Sequence, residues 1–184
     1  MNVLNVVTTS MCFLLAAVFV VAASHKLADI KQFKKVVDDY QILPSAMVGW
    51  LSVVLPIIEL LAACALCAAS FYSPLGYYSV ALSLALMTIY TAALAKLYFE
   101  GRALEDCGCG GSANQPLSLW PVLRNIGLML ICLYLLASFS FAGVMPMFSV
   151  LVIPFALVLS LVYWITDGLM MNTGLIAIVE KHYD

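Results

Sequence analysis

The sequence predicts an all-α membrane protein, a polytopic helical bundle in which about five transmembrane helices are joined by an interfacial amphipathic helix after the first. Of its 184 residues, 65% are hydrophobic and only 10% are charged, whereas soluble domains average about 45–50% apolar and about 25% charged residues. The apolar residues fall into runs of about 20, the length of a helix that crosses the hydrocarbon core. A backbone in lipid must satisfy its own hydrogen bonds, so we expect helices rather than strands. The net charge of −2, with no basic run, argues against a nucleic-acid partner.

The predicted spans belong to a single membrane domain, residues 1–184, and cover residues 3–24, 46–71, 74–98, 119–141 and 147–166. The first run ends in small residues, as a secretion signal does. No Lys or Arg precedes it, however, and it is long enough to cross the bilayer, so we expect a retained helix. Pro74 and Pro146 stand in two short connections, which makes the flanking helices antiparallel neighbours. The tail after residue 169 has no pattern that assigns it a position.

The segment of residues 25–43 differs from the apolar runs on either side of it. Apolar residues recur at helical spacing through Leu27, Ile30 and Val37, while the lysines and aspartates fall mostly on the other side. This pattern is typical of an amphipathic helix that lies at the membrane interface. We expect Pro44 to end it.

Counting crossings puts the amphipathic helix and the polar loop of residues 99–118 on the same side of the membrane. The lysines of the helix and Arg102 of the loop would assign that side to the cytoplasm by the positive-inside rule. A lasting disulfide in the loop would instead assign it to an oxidising compartment. An interfacial helix uses lysines to bind headgroups on either side, so the positive-inside rule carries less weight here.

The loop contains the stretch EDCGCGGS, residues 105–112, with two cysteines one residue apart. A disulfide between Cys107 and Cys109 would close a very small ring, and strain makes such a bond easier to reduce. Gly108 lowers the strain because it frees the backbone angles between the two sulfurs. A labile pair of this kind is catalytic or regulatory rather than structural, so we expect a redox pair. A metal or ligand contact is a less favoured alternative, because a metal needs about four ligands and the loop offers two thiols, two carboxylates and no nearby His, so no metal is predicted. Idle thiols are a further alternative.

Ionisable residues in or next to the spans are candidates for function, because burying a charge in a bilayer costs about 2.5–3.5 kcal/mol on insertion scales. These candidates are His25 and Lys26 at the end of the first span, Glu59 in the second, and Arg124 with Asn125 in the fourth. We expect His25, Lys26 and Arg124 to lower the pKa of a thiol or to polarise a ligand oxygen. Glu59 would orient Arg124 or relay a proton. The alternatives are that Lys26 extends to the headgroups, that Glu59 and Arg124 form a structural pair, and that His25 is an ordinary interfacial residue.

Aromatic residues offer a second kind of candidate. Trp50 and Trp120 stand at the starts of spans, where interfacial belts normally have tryptophan. Together with Tyr90 they are also candidates to line a slot for a flat, lipid-soluble quinone, because pockets between helices favour aromatic walls with few polar groups.

Four further cysteines lie within apolar runs, where a thiol is most often a small buried hydrophobe. Cys64 and Cys67 lie about 27 Å from the loop side at 1.5 Å per residue, so we do not expect them to exchange with the loop. Cys12 and Cys132 have matching depths of about 20 Å by the same arithmetic and are able to meet.

Four short motifs are distinctive in their order and spacing. They are His25-Lys26 at the end of the first span, Leu55-Pro56 followed by Glu59 in the second, Cys107-Gly108-Cys109-Gly110 in the loop and Arg124-Asn125 in the fourth. Their combination resembles the MauE family, integral membrane proteins of methylamine utilisation related to the DoxX-like four-helix group. The resemblance runs from about residue 10 to residue 140. One departure is Gly110-Gly111, where the family often has a bulky aromatic residue, and this bears on partner docking.

The resemblance implies a part in the maturation of methylamine dehydrogenase, whose small subunit carries many disulfides and a tryptophan tryptophylquinone, together with MauD, a thioredoxin-like periplasmic protein. The architecture is also similar to that of membrane oxidases that form disulfides by reducing quinone, such as DsbB and vitamin K epoxide reductase. We therefore expect a thiol oxidoreductase of the bacterial inner membrane with a periplasmic cysteine loop, Cys107 and Cys109 as its catalytic pair, and ubiquinone or menaquinone as acceptor. Two alternatives stay open: a transmembrane conduit of reducing equivalents that uses Cys12 and Cys132, and a non-catalytic assembly subunit that anchors a partner.

Overall fold

A computed structural model of the chain describes residues 3–41, 44–100, 119–141 and 150–183. Those residues form six helices: α1 (Val3–Ala28), α2 (Ile30–Asp39), α3 (Ser45–Ala68), α4 (Ser73–Phe99), α5 (Leu119–Phe141) and α6 (Val152–Tyr183). In this described part, every helix except α2 is long and apolar enough to cross a membrane, which makes five. The chain is a multi-span helical membrane protein, and the predicted fold class is confirmed.

Successive spanning helices run in opposite directions across the bilayer. The end of α1, the start of α3, the end of α4 and the start of α5 therefore lie on one side, together with α2. We call this the loop side, because residues 101–118 connect α4 to α5 there. The ends of α3 and α5 and the starts of α4 and α6 lie on the opposite side.

The first helix extends further than its apolar run predicts. α1 continues beyond the expected end at residue 24, so that His25 and Lys26 lie in its last turn. The break before α2 is set by Asp29, whose side chain accepts a hydrogen bond of 2.9 Å from the backbone N–H of Gln32 and so caps α2. The amphipathic helix predicted at residues 25–43 is therefore shorter, and Lys26 belongs to a membrane-spanning helix.

The interfacial helix α2 is amphipathic, as predicted. Phe33 and Val36 are buried against the bundle. The helix lies along the first turns of α3, because the Nζ of Lys34 is 3.8 Å from the position that a Cβ on Gly49 would take. The exposed side of α2 carries Lys31, Lys34 and Lys35.

The core of the bundle is built around α1. This helix packs most extensively on α3 and also contacts α5 and α6, while α4 packs on α5. Phe19 of α1 is fully buried with Leu66 of α3 and Leu135 of α5. Near the opposite side, α4 and α5 approach closely, since a Cβ on Gly76 would come within 2.8 Å of the Phe139 ring.

The last helix is longer than predicted. α6 is continuous where the sequence suggested a span at residues 147–166 followed by an unassigned tail. It packs on α1, where Val152 is buried and its carbonyl accepts a hydrogen bond of 3.4 Å from Ser10. Most of its spanning part is exposed, as expected for a helix that faces lipid. The apolar span reaches Met170, so Asp167 lies inside it.

Candidate functional site

A carboxylate lies in the membrane interior, near the middle of α3. Glu59 is about 21 Å along the helix axis from the start of α3, and its side chain is 0% exposed. Pro56, three residues earlier, has no N–H, so the carbonyl of Ser52 lacks its usual helical donor. A charge at this depth is costly, and it persists only where a partner compensates for the lost water.

The partner of this carboxylate is Lys26, in the last turn of α1. Its Nζ donates to Oε1 of Glu59 in a buried ion pair. The Lys26 side chain is only 6% exposed, so the alternative in which it extends to the headgroups is wrong. The physical reason is that α1 continues past its apolar run, which directs the side chain toward α3 rather than into the interface.

Two aromatic rings lie beside the ammonium group of Lys26. Tyr90 of α4 donates its hydroxyl to the same Oε1 of Glu59 at 2.5 Å, and its ring centroid lies 4.6 Å from Nζ of Lys26. Phe33 of α2 presents its ring centroid 5.3 Å from the same nitrogen. Both distances are within the reach of about 6 Å for a cation–π interaction. Helices α1 to α4 thus each contribute one residue to a group that we call the Glu59 cluster: Lys26, Phe33, Glu59 and Tyr90.

The two carboxylate oxygens of Glu59 differ in their bonding. Oε1 accepts hydrogen bonds from both Lys26 and Tyr90. Oε2 is buried and has no hydrogen-bond partner within the described part of the chain. Leaving a buried acceptor unsatisfied costs about 1–3 kcal/mol, and more for a charged group. Among the described residues, the cluster therefore contains a free acceptor that a further donor would satisfy.

A second buried ion pair joins α5 to α6. Arg124 Nη1 lies 3.3 Å from Oδ1 and 3.2 Å from Oδ2 of Asp167, and Trp120 Nε1 donates to Oδ1 at 2.9 Å. Both carboxylate oxygens of Asp167 are therefore engaged. Trp120 and Arg124 are four residues apart on α5, so they face α6 together. The side chains of Arg124 and Asp167 are 7% and 18% exposed. We call these three residues the Asp167 cluster.

Glu59 does not contact Arg124, so the prediction that it orients Arg124 and the alternative of a structural pair between them are both wrong. Glu59 pairs with Lys26 and Arg124 pairs with Asp167. A charge in an apolar run predicts that a partner exists, but it does not specify which of two cations lies opposite which carboxylate. Asn125, predicted to act beside Arg124, is buried on α5.

The other site residues predicted on the loop side are the two loop cysteines and His25. Cys107 and Cys109, the predicted catalytic pair, lie outside the described residues. His25 is exposed at the end of α1, whereas its neighbour Lys26 turns into the bundle. Of the two basic residues in the last turn of α1, Lys26 is therefore the one that is buried in a cluster.

The three aromatic residues predicted to line one quinone slot stand in three settings. Tyr90 belongs to the Glu59 cluster and Trp120 to the Asp167 cluster. Trp50 is 63% exposed near the start of α3, which is the usual position of a tryptophan in an interfacial belt. Of the three, Tyr90 is therefore the one that lies beside a carboxylate with a free oxygen.

The buried cysteines lie in the core rather than in either cluster. Cys12 of α1 and Cys132 of α5 are free thiols that share the core, and Cys67 packs against it. Cys64 is exposed on the outside of α3. In the part of the chain that the structure describes, no group of three or more His, Cys, Asp or Glu side chains could hold a metal ion.

Two cluster residues were not predicted as site residues. Asp167 falls one residue beyond the predicted fifth span, so it was not considered as a charge within lipid. The signal that identifies it is the continuation of the apolar run to Met170. Phe33 was seen only as part of an amphipathic pattern, and no local signal indicates that its ring meets Lys26.

Comparison with known proteins shows which family the chain belongs to. The family described as "Methylamine utilisation protein MauE" matches residues 4–138 of the chain. The chain belongs to the MauE family. The protein named methylamine utilization protein MauE from Methylophilus methylotrophus is 30% identical over 155 residues, which are 83% of this chain and 80% of that protein. The protein of the same name from Paracoccus denitrificans is 35% identical over 120 residues, which are 65% of this chain but only 62% of that protein. No solved structure matches the chain significantly.

The MauE match covers one cluster completely and the other in part. Residues 4–138 include every member of the Glu59 cluster and the two loop cysteines, as well as Trp120 and Arg124. Asp167 lies beyond the matched residues. Family membership thus connects this chain to methylamine utilisation.

Proposed function

We propose that this MauE-family chain is a membrane thiol–disulfide oxidoreductase that forms disulfides during the maturation of methylamine dehydrogenase. Its direct partner would be a thioredoxin-like protein of the MauD type, and the small subunit of the dehydrogenase would be reached through that partner. The observation that supports this best is the Glu59 cluster, a buried ion pair with a free carboxylate oxygen inside the membrane. A purely structural anchor has no need for such a costly group.

The thiol chemistry would take place at Cys107 and Cys109. A thiolate of the reduced partner attacks their disulfide, one sulfur of the pair leaves as a thiolate, and a mixed disulfide forms. The second thiolate of the partner then attacks the partner's sulfur in the mixed disulfide, and the loop sulfur leaves as a thiolate. The partner leaves with a disulfide, and both loop cysteines are left reduced. The partner has lost two electrons and two protons, which the loop cysteines now carry.

A second substrate must reoxidise the loop cysteines, and a quinone such as ubiquinone or menaquinone fits the Glu59 cluster. Lys26 has N–H groups beyond the one that it donates to Oε1, and these are suited to a carbonyl oxygen, while Oε2 of Glu59, which has no partner within the described residues, is an acceptor suited to a hydroxyl. When bound, a quinone would accept the two electrons and two protons that are released when the pair closes.

The residues of the cluster would have distinct tasks in this scheme. Lys26 supplies a positive charge, which favours developing negative charge on a nearby oxygen or sulfur. Glu59 neutralises Lys26 between turnovers and holds a proton at Oε2 in transit. Tyr90 and Phe33 exclude water from the ion pair, which strengthens its electrostatic effect. His25 is a further candidate for lowering the pKa of a loop thiol, and Trp50 for contacting a quinone, whereas Arg124 and Trp120 bind Asp167 and have no task in this scheme.

The proposed location is the bacterial inner membrane, with the loop side in the periplasm. This orientation is proposed because a lasting disulfide requires an oxidising compartment. The exposed lysines of α2 are compatible with it, since an interfacial helix binds headgroups on either side of the membrane.

A second candidate function is a conduit that carries reducing equivalents across the membrane to the same partner. The observation that favours it is the presence of Cys12 and Cys132 together in the buried core. In a conduit these thiols would be required, whereas an oxidase that works at the loop would tolerate their replacement.

The test of the proposed function is thiol labelling in intact cells. A membrane-impermeant maleimide is applied before and after mild reduction to a chain whose four other cysteines are replaced by Ala. We expect Cys107 and Cys109 to be labelled from the periplasm only after reduction. Labelling without reduction, or only from the cytoplasm, would contradict the proposal.

Complementation of a strain that lacks its own MauE protein separates the three functions. The Cys107→Ser/Cys109→Ser variant should abolish methylamine dehydrogenase activity if the chain is an oxidase, and should retain it if the chain is an assembly anchor. The matched control is Cys12→Ala/Cys132→Ala, which an oxidase should tolerate and a conduit should not.

A further inference from the structure

The free acceptor in the Glu59 cluster also indicates which form of a ligand the site recognises. Both donors of the cluster, the Lys26 ammonium and the Tyr90 hydroxyl, are directed at Oε1 of Glu59. The atom left available is Oε2, which can only accept a hydrogen bond while the carboxylate is ionised. The Lys26 ammonium has three N–H groups; one is directed at Oε1, and its nitrogen lies beside the rings of Tyr90 and Phe33. Within the described structure, Oε2 is the atom of the ion pair that has no hydrogen-bond partner.

The surroundings restrict the chemistry of the ligand. The carboxylate is 0% exposed and lies within a membrane span, so a ligand that binds it has to enter an apolar helical bundle and must be lipid-soluble. The ion pair is already neutral, so a charged ligand would introduce an uncompensated charge. The rings of Tyr90 and Phe33 lie beside the pair, and they favour contact with a flat aromatic ring.

We propose that Oε2 of Glu59 is the acceptor for a ring hydroxyl of a lipid-soluble quinol, and that the cluster as it stands binds the reduced form of the carrier in preference to the quinone. This inference rests on the proposed function, and it adds which redox form is recognised and by which atom. A quinone carbonyl is itself an acceptor and faces a second acceptor in Oε2. It can accept an N–H of Lys26 that does not go to Oε1, but it leaves Oε2 without a donor. A quinol hydroxyl donates to Oε2 and so removes the cost of that buried, unsatisfied acceptor.

The experiment compares the binding of a short-chain ubiquinol analogue with that of its quinone, by isothermal titration calorimetry in detergent without oxygen. All titrations use the Cys107→Ser/Cys109→Ser background, so that no loop thiol reacts with the quinone. We expect the quinol to bind at least about tenfold more tightly than the quinone, because a hydrogen bond to a charged group is worth about 1.5–3 kcal/mol.

The decisive variant is Glu59→Gln. Its amide has nearly the same shape as the carboxylate but presents an NH₂ group, so it can donate to a quinone carbonyl. We expect the preference for the quinol to be lost or reversed. If the variant fails to fold because Lys26 has lost its counter-charge, Lys26→Met/Glu59→Gln restores neutrality and is expected to show the same loss of preference.

Asp167→Asn provides the matched control. Both oxygens of Asp167 are already engaged by Arg124 and Trp120, so it has no free acceptor for a ligand. We expect this variant to keep the preference for the quinol.

The remaining outcomes are also decisive. If neither form binds, if both bind equally, or if Glu59→Gln leaves the preference unchanged, Oε2 serves no ligand and the inference is overturned. That result would leave the thiol proposal to its own labelling test. Conversely, a quinol preference in a chain whose loop cysteines never form a disulfide would support the inference and contradict the proposed function.

Discussion

Two buried ion pairs in the same membrane domain are bonded in different ways. In the Asp167 cluster, Arg124 and Trp120 engage both oxygens of the carboxylate. In the Glu59 cluster, both donors converge on one oxygen and the other is left without a partner in the described structure. The Asp167 cluster joins two helices, whereas four helices contribute a residue to the Glu59 cluster.

The difference indicates how a buried carboxylate with a structural role can be distinguished from one with a functional role in a membrane protein, namely by how many of its oxygens are hydrogen-bonded. A buried ion pair is often no more stable than an apolar pair of similar volume, so its presence alone indicates neither role. A fully bonded carboxylate such as Asp167 is suited to fastening α6 to α5. In Glu59 only one oxygen is hydrogen-bonded within the described structure, and Oε2 is a buried acceptor without a donor. Such an acceptor is expected where a bound molecule donates a hydrogen bond to it.

The largest effect is expected when Glu59 alone is replaced by Leu. This leaves the Lys26 ammonium buried without a counter-charge, and breaking a buried pair in this way costs about 3–5 kcal/mol. Denaturant titration of the purified chain in mixed micelles would measure the loss. The double variant Lys26→Met/Glu59→Leu removes both charges and should recover most of the stability, yet fail to support methylamine dehydrogenase maturation. A stable double variant that still supports maturation would make the Glu59 cluster structural.

A smaller loss is expected for Asp167→Leu. The Asp167 side chain is 18% exposed, so water compensates in part, and we expect about 2–3 kcal/mol, below the range for a fully buried pair. The double variant Arg124→Met/Asp167→Leu should recover this stability and also retain maturation activity. Loss of activity in a stable double variant would show that Arg124 takes part in the reaction, as predicted from the sequence. The Asp167 cluster would then be functional rather than structural.

Replacing Tyr90 by Phe should cost about 1.5–3 kcal/mol, because it removes one neutral donor to a charged oxygen. The ring remains beside Lys26, so the cation–π contact is kept. We also expect slower reoxidation of the loop cysteines, measured by trapping their redox state after a pulse of reductant. Unchanged stability together with unchanged kinetics would remove Tyr90 from the cluster's function.

Trp120→Phe should have the smallest effect, about 1 kcal/mol, since the indole is only partly buried and water can replace its N–H. Maturation activity should not change, because the ion pair of Arg124 and Asp167 remains. A large loss of activity at full stability would indicate that this tryptophan contacts a ligand, the role predicted for it from the sequence.

The spanning helices were predictable because their signal is local. An apolar run of sufficient length has one stable form in lipid, and Pro44 and Pro74 mark two helix starts that the structure contains. The ends were less predictable. α1 continues to Ala28 through polar residues, because the buried pairing of Lys26 with Glu59 compensates for the charge that seemed to end the span.

The partners within the site could not be predicted from local pattern. Glu59, Lys26 and Arg124 were all identified as unusual charges, yet their pairing depends on how α1, α3, α5 and α6 rotate and pack. Asp167 lies 43 residues from Arg124 in the chain, and no periodicity links them. The unequal bonding of the two oxygens of Glu59 is a tertiary property that a sequence does not display.

The most direct test of the account follows the redox state of Cys107 and Cys109 in growing cells, by acid trapping and alkylation with a heavy maleimide. In every form the four other cysteines are replaced by Ala. Three forms are compared: one with both clusters unchanged, Lys26→Met/Glu59→Gln, and Arg124→Met/Asp167→Leu. We expect the loop cysteines to be largely oxidised in the first and third forms and to accumulate as thiols in the second. Equal oxidation in all three forms would contradict this expectation.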